Sequence, residues 1–378
     1  MIRFNRPYIT GREMEQMATA IADGRLSGDG AFTKLDQAFF ADRYGFANNL
    51  LTTSGTDALE MAAILADIAP GDEVILPSYT FVSTANAFVL RGARPVFIDS
   101  YEDHPNMDHG LIEAAITDRT KAIVVMHYGG VACEMDAIMA LAAKHALIVV
   151  EDAAHAIDSY YKDRPLGGIG HLACFSFHET KNIQCGEGGL LVVTDPALAK
   201  RAEVIREKGT DRSAFFRGEI DKYGWIDIGS SFLASEITAA FLHAQLMELD
   251  TIQTMRKQVW EKYAKGLVRL GEVGYGLPWI PEHCTNNGHL FHLVCPSLEV
   301  RTALIAHLDR KGIRAVFHYQ PLHTSAYHLD QQPHQPELPN ATRFGDRLVR
   351  LPLFAGLTPK EQELIIHEVL QFAHLHRT

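Results

Sequence analysis

The sequence runs to 378 residues, 47% hydrophobic and 21% charged, with 46 acidic against 35 basic side chains and a formal net charge of −11. That excess of negative charge excludes a broad electrostatic grip on nucleic acid or an anionic membrane, yet leaves room for a phosphate held by a few backbone amides. A chain of this length exceeds what one hydrophobic core ordinarily fills, so two domains are expected.

The stretch from Met1 to Tyr8 lacks the basic-then-apolar pattern of a secretory signal, and no apolar run approaches the ~20 residues of a membrane helix. The five cysteines are scattered, odd in number and never spaced Cys-x-x-Cys, which fits reduced thiols in a cytoplasmic protein. Nineteen histidines are present, but no His-Glu-x-x-His or comparable spacing, so no metal site is expected.

A helix is predicted over 11–22. Short apolar, β-branched runs then recur at 49–53, 73–76, 95–99, 122–126, 147–150, 172–177 and 190–193, most of them separated by Ala-rich stretches such as 58–67 and 136–145. Strand and helix in alternation predict an α/β fold, a mixed but mostly parallel sheet flanked by helices, with functional groups beyond the carboxyl ends of the strands. Internal repeats are not evident. From about Ile252 the texture changes to a long helical pattern, a turn-rich stretch, a strand at 290–295, a helix at 300–311 and a strand at 313–319. Thr358, Pro359 and Glu361 open a last helix with a cap, a proline at its first position and an acid at its third. Behind them Ile365, Ile366, Val369, Leu370 and Ala373 form one apolar face. The expected division is a large domain, 1–250, and a smaller C-terminal α/β domain, 251–378.

Lys181 stands in Ser176-Phe177-His178-Glu179-Thr180-Lys181-Asn182, directly after an apolar strand and before Gly186-Glu187-Gly188-Gly189. By itself it reads as a solvated loop lysine; its company gives it another reading. Asp152 ends a strand, as a helix cap or as a buried carboxylate facing a cation such as the protonated ring nitrogen of pyridoxal phosphate (PLP). Ser54-Gly55-Thr56 opens a helix, where glycine allows close backbone approach and the free amides favour an anion; Ser176 offers a second hydroxyl near the lysine. Phe81 is either a core aromatic or a ring that stacks on a flat ligand.

Taken together, Ser-Gly-Thr-x-Ala-Leu (Ser54 to Leu59), Pro-Ser-x-Thr-Phe-Val-Ser-Thr-x-Asn (Pro77 to Asn86), Glu-Asp-Ala-Ala-His (Glu151 to His155) and the lysine segment with Gly-Glu-Gly-Gly resemble the DegT/DnrJ/EryC/StrS sugar aminotransferases, in order and spacing across nearly the whole chain. The resemblance implies a PLP-dependent fold of type I, aspartate-aminotransferase-like, and a homodimer with shared active sites. By matched position Lys181 is the Schiff-base lysine, Asp152 the ring-nitrogen partner and Phe81 the stacking residue. Gly55, Thr56 and Ser176 would hold the phosphate, and His155 joins the cofactor contacts. Much of the family carries asparagine two residues after Gly229, reaching the phosphate from the partner subunit; here Ser231 stands in its place. His178, His318, Tyr319 and His323 are expected around the substrate. The substrates so implied are a keto-sugar nucleotide and an amino donor, L-glutamate. Phe215 to Gly218, Asp227 to Ser231, His318 to His323 and Arg350 to Phe354 narrow the resemblance to members acting on 4-keto-6-deoxy sugars; amination at ring carbon three stays open. Related dehydratases carry histidine where Lys181 stands, which argues against dehydration. A catalytically silent PLP-binding scaffold is the remaining alternative, and the joint presence of lysine, aspartate and phosphate segment argues against it.

Overall fold

A computed structural model describes residues 1–332 and 337–376. The first five apolar runs form strands β1 (Asn49–Thr52), β2 (Glu73–Pro77), β3 (Arg94–Ile98), β4 (Thr120–Met126) and β5 (Ile148–Asp152). A short hairpin, β6 (Tyr160–Tyr161) with β7 (Arg164–Pro165), precedes β8 (Leu172–Ser176) and β9 (Gly189–Val193). One seven-stranded sheet results, in the order β1-β9-β8-β5-β4-β2-β3. Neighbours from β8 to β3 pair in parallel, whereas β9 runs antiparallel to both β1 and β8.

Residues alternate between the two faces of this sheet, as the two-residue strand period requires. Val74, Leu76, Val124 and Val150 pack into one apolar cluster, while Ile75, Ile123, Val125 and Val149 pack into the other. Both faces are therefore dry, which explains why the strands read as continuous apolar runs instead of alternating ones. The predicted helices appear as Glu13–Ala22, Gly55–Leu65 and Met135–His145. No helix among the described residues is long and apolar enough to cross a membrane.

After the long helix Leu249–Leu267, β10 (Phe291–Val294) pairs antiparallel with β11 (Leu348–Leu351). A third apolar cluster gathers around this pair, including Tyr263, Leu304, Val349 and Ile365, and takes in Ile2 from the start of the chain. Phe344 and Leu348 pack instead with one cluster of the large sheet. The last helix, Pro359–Leu375, opens with the reciprocal Thr358–Glu361 capping box that the sequence signalled. Ile365, Val369 and Ala373 are buried as expected, but Leu370 faces outward. The predicted strand over 313–319 does not form. Only Val316 continues the ladder, exchanging hydrogen bonds with Arg350, before the chain turns to Pro321, which has no N–H to donate. That early departure from the ladder sends His318 and Tyr319 toward the carboxyl ends of β4 and β5.

Candidate active site

A cavity of about 580 Å³ opens beyond the carboxyl ends of β1, β2, β5 and β8, a size ordinary for a small-molecule site. Three chain segments meet at its floor because glycines let them. A Cβ on Gly55 would stand 2.8 Å from Ser176 Cβ and 3.1 Å from the Phe175 carbonyl oxygen. One on Gly189 would come within 2.3 Å of the Ser54 carbonyl oxygen. The turn after β1, the end of β8 and the start of β9 thus touch backbone to backbone. Ser54 caps the helix by accepting from the Asp57 amide at 3.0 Å, and the first amides, of Gly55 and Thr56, have no acceptor within the helix. Thr56 Oγ1 lies 2.8 Å from Ser83 Oγ. With the Ser176 hydroxyl close by, this cradle of free amides and hydroxyls fits a phosphate.

Asp152, the last residue of β5, is buried. Its Oδ2 accepts from Thr84 Oγ1 at 2.6 Å and its Oδ1 from the Ala154 amide at 3.1 Å. Burial pushes its carboxyl above the usual range, against those two hydrogen bonds and the charge of Lys181. A cation brought against it is the natural remedy, and a protonated pyridine nitrogen is such a cation. Lys181 sits in the β8–β9 loop and reaches the same cavity. Burial lowers its amine from 10.5 to about 8; Asp152 opposes the shift and the Arg350 cation adds to it. Among the described residues its Nζ has no hydrogen bond or ion pair. Asn182 anchors the loop from the other side, donating to Gln253 and the Asn287 carbonyl and standing 2.8 Å from His289 Nδ1.

His155 is buried against His289, ring on ring at 4.0 Å. Its Nδ1 accepts from the Gly129 amide, which leaves the ring proton on Nε2, 3.2 Å from the Tyr319 hydroxyl. Burial holds this imidazole neutral, as it does those of His289 and His318. His318 stacks on Tyr319 at 3.6 Å and its Nδ1 meets the Tyr128 hydroxyl at 2.7 Å. Phe81 is half exposed, tilted against Tyr319 at the cavity's edge. His178 also lines the cavity, with its Nδ1 turned to Thr180.

The structure therefore brings together Gly55, Thr56, Phe81, Asp152, His155, Ser176, His178, Lys181, His318 and Tyr319 around one cavity. It does not bring His323, whose ring turns inward to meet Ser78 Oγ at 2.6 Å and is buried away from the cavity. Ser231 is exposed outside this chain's cavity, bridged through its backbone to Glu207. Thr84, which holds Asp152, and His289 and Arg256, which line the cavity, are further members of the site. Thr84 lies inside the Pro77–Asn86 segment, three residues after Phe81, and that spacing was the available signal. Arg256 and His289 carry none, since they reach the site only through the fold; Arg256 donates to the Gly288 and His289 carbonyls and holds that wall.

Comparison with known proteins agrees with this geometry. A sequence profile of the DegT/DnrJ/EryC1/StrS aminotransferase family matches residues 7–370, and the chain belongs to that family. The aminotransferase TlmJ of Streptoalloteichus hindustanus is 30% identical over 99% of each chain, with a TM-score of 0.91. DesV of S. venezuelae, solved with a ketimine intermediate, is 33% identical over 98% of each chain, with a TM-score of 0.88. Spr1654 of Streptococcus pneumoniae, solved in PMP and PLP forms, is 25% identical over 99% of this chain, with TM-scores of 0.92 and 0.91; it is covered over 100% and 99% of its own chain in those two forms. The fold is that of the PLP-dependent aminotransferases, and the chain is a PLP-dependent sugar aminotransferase.

Proposed function

We propose that this family member moves the amino group of L-glutamate to the keto carbon of a nucleotide-linked 4-keto-6-deoxy sugar, converting dTDP-4-keto-6-deoxyglucose to dTDP-4-amino-4,6-dideoxygalactose. The single observation that carries the chemistry is the Lys181 amine, lowered to about 8 and set beside buried Asp152 in the cavity. Support for the acceptor comes from the segments His318 to His323 and Arg350 to Phe354. They resemble the dTDP-4-amino-4,6-dideoxygalactose transaminase of enterobacterial common antigen synthesis, and His318, Tyr319 and Arg350 line the cavity.

When bound, PLP supplies an aldehyde carbon for the amine and an electron-accepting ring. Lys181 Nζ, partly neutral near pH 8, takes the proton from the donor's α-carbon and gives one back in the second half-reaction. Asp152 keeps a proton on the ring nitrogen, its carboxylate aimed by Thr84 and Ala154. The amides of Gly55 and Thr56, with Ser176, hold the phosphate. Phe81 would stack on the cofactor ring, His155 would join the contacts to it, and Tyr319 would stand on the substrate side of the same cavity. In this reading the protein works in the cytoplasm as a homodimer whose partner contributes Ser231. The chain divides into a cofactor-binding domain over 1–250 and a smaller domain over 251–378.

The test is incubation with L-glutamate and dTDP-4-keto-6-deoxyglucose, with the product's amino position read by NMR. An axial amine on ring carbon four is expected. Amination of a 3-keto isomer alone would transfer the reading to the sister activity. Borohydride reduction and peptide mapping test the lysine separately, and label on any residue but Lys181 refutes it.

A further inference from the structure

A turn behind the cavity touches two of its imidazoles. His127, Tyr128, Gly129 and Gly130 follow β4, and both glycines are left-handed, Gly129 at φ +63° and Gly130 at φ +82°. A Cβ on Gly130 would stand 2.3 Å from Asn287 Oδ1, and Asn287 Nδ2 donates to the His155 and Ile157 carbonyls. The turn is thereby pinned to the chain that carries His155. From this seat the Gly129 amide donates to His155 Nδ1 and leaves that ring's proton on Nε2, facing the Tyr319 hydroxyl. The Tyr128 hydroxyl stands 2.7 Å from His318 Nδ1. Tyr128 itself is buried and does not line the cavity; its ring packs edge-on against His155 and His292 and tilted against His318.

A phenol O–H buried without an acceptor is costly. Among the described residues the Tyr128 hydroxyl has one hydrogen-bond partner, His318 Nδ1, and the neighbouring Tyr79 hydroxyl makes no bond with it. Tyr128 therefore donates and Nδ1 accepts. Burial keeps the His318 imidazole neutral, so its one ring proton sits on Nε2. That nitrogen has no partner among the described residues, and the ring lines the cavity. We propose that Tyr128 is a positioning residue, whose hydroxyl fixes the proton of His318 on Nε2 and makes that ring a donor toward the sugar. The inference rests on the sugar half of the reaction proposed above. A neutral N–H suits the uncharged hydroxyl and keto oxygens of a sugar, whereas a carboxylate would favour a second proton on the ring. Tyr319 works alongside: its oxygen accepts from His155 Nε2, which frees its own O–H to donate, and its ring stacks on His318 at 3.6 Å. One turn thus sets the direction of two donors.

Tyr128→Phe removes only the hydroxyl. With nitrogen-labelled histidine in the holoenzyme, two-bond proton–nitrogen NMR spectra read the tautomer of each ring, and the His318 signals are those lost in His318→Gln. The wild-type ring should be in the Nε2–H form, and Tyr128→Phe should convert it to the Nδ1–H form or a mixture. Reaction of the PMP form with keto-sugar nucleotide, at subsaturating sugar, should slow about tenfold in Tyr128→Phe, the scale of one lost hydrogen bond. Loss of the PLP absorbance on adding L-glutamate alone should stay within about twofold, which also verifies that the variant is folded. In a His318→Gln background the same change should cost less than about twofold, because two groups acting through one ring are not additive. A wild-type His318 carrying its proton on Nδ1 overturns the proposal, and that spectrum is read even if Tyr128→Phe does not fold. An equal cost of Tyr128→Phe with and without the His318 imidazole reduces Tyr128 to packing and overturns it too, as does equal slowing of both half-reactions. Failure of the keto-sugar to react with wild-type enzyme would strike the acceptor assignment and leave the tautomer to decide.

Discussion

The two walls of the cavity are built by different means. The wall carrying Asp152 and Lys181 grows from strand ends of the seven-stranded sheet, and each group is fixed by near neighbours: Thr84 and Ala154 on the aspartate, Asn182 beside the lysine. The facing wall takes Arg350 from β11, and His318 and Tyr319 from a segment that leaves that strand after one bridge and reaches the site through long-range contacts. In the proposed reaction the first wall handles a proton and must keep its groups in place to fractions of an ångström. The second presents aromatic rings and the Arg350 cation to the same cavity, and in the proposed reaction these select what enters. Chemistry is thus assigned to the rigid sheet edge and selection to the irregular segment.

Substitutions on the two walls should separate along that line. Lys181→Ala should retain loosely bound PLP while turnover falls by about 10²- to 10⁴-fold, measured by steady-state transamination; near-normal turnover would dissolve the distinction at its root. Asp152→Asn keeps the shape but not the charge, and proton transfer should slow by about 100-fold, on the scale of other lost electrostatic stabilisers, with the cofactor still bound in its absorbance spectrum. Thr84→Val sharpens the comparison, because the Thr84 hydroxyl bonds only Asp152 and the buried Thr80 hydroxyl. A lost hydrogen bond to a buried charge predicts about a tenfold drop in kcat with KM for both substrates unchanged. A rise in KM instead would make Thr84 part of the selecting wall.

The pH dependence probes the same wall. Only the neutral amine attacks an aldehyde, and the Lys181 amine is lowered to about 8. Condensation of the cofactor-free protein with PLP should therefore rise about tenfold between pH 7 and 9 and then level off, followed by stopped-flow absorbance. A rise continuing through pH 10 would place the amine in ordinary solvent. The smallest effect is expected at His323, which faces Ser78 and not the cavity. His323→Ala should cost about 1 kcal/mol of stability in denaturant unfolding and leave kcat within twofold.

The sheet-edge wall was legible in the sequence because its residues are local to strand ends. Asp152 closes β5, Lys181 follows β8, and Gly55 begins the helix after β1, so period, turn residues and motif spacing all point to the same place. All seven strands of the large sheet were visible as apolar runs for a related reason: they are buried on both faces. The opposite wall was harder to read. The alternation at 313–319 is that of a strand, but its hydrogen bonds are split between Ile2, at Ile313 and Arg314, and Arg350, at Val316, and none joins them into a continuous ladder. His323 matched the family segment as well as His318 did, and only the turn at 322–324 shows that its ring goes inward. Leu370 kept helical spacing with the buried set yet lies at the rim, since the apolar stripe is narrower than the sequence suggested.

The glycine at 189 ties these parts into one mechanical unit. It sits beside Thr52 on one strand and Ser176 on the other, and a single methyl group there would collide with the Ser54 carbonyl oxygen. Adding that methyl would wedge apart the seat for the phosphate and the stem of the lysine's loop in one motion. An alanine at this position would act like a shim under both, misaligning anchor and amine together, with no residue of either group altered.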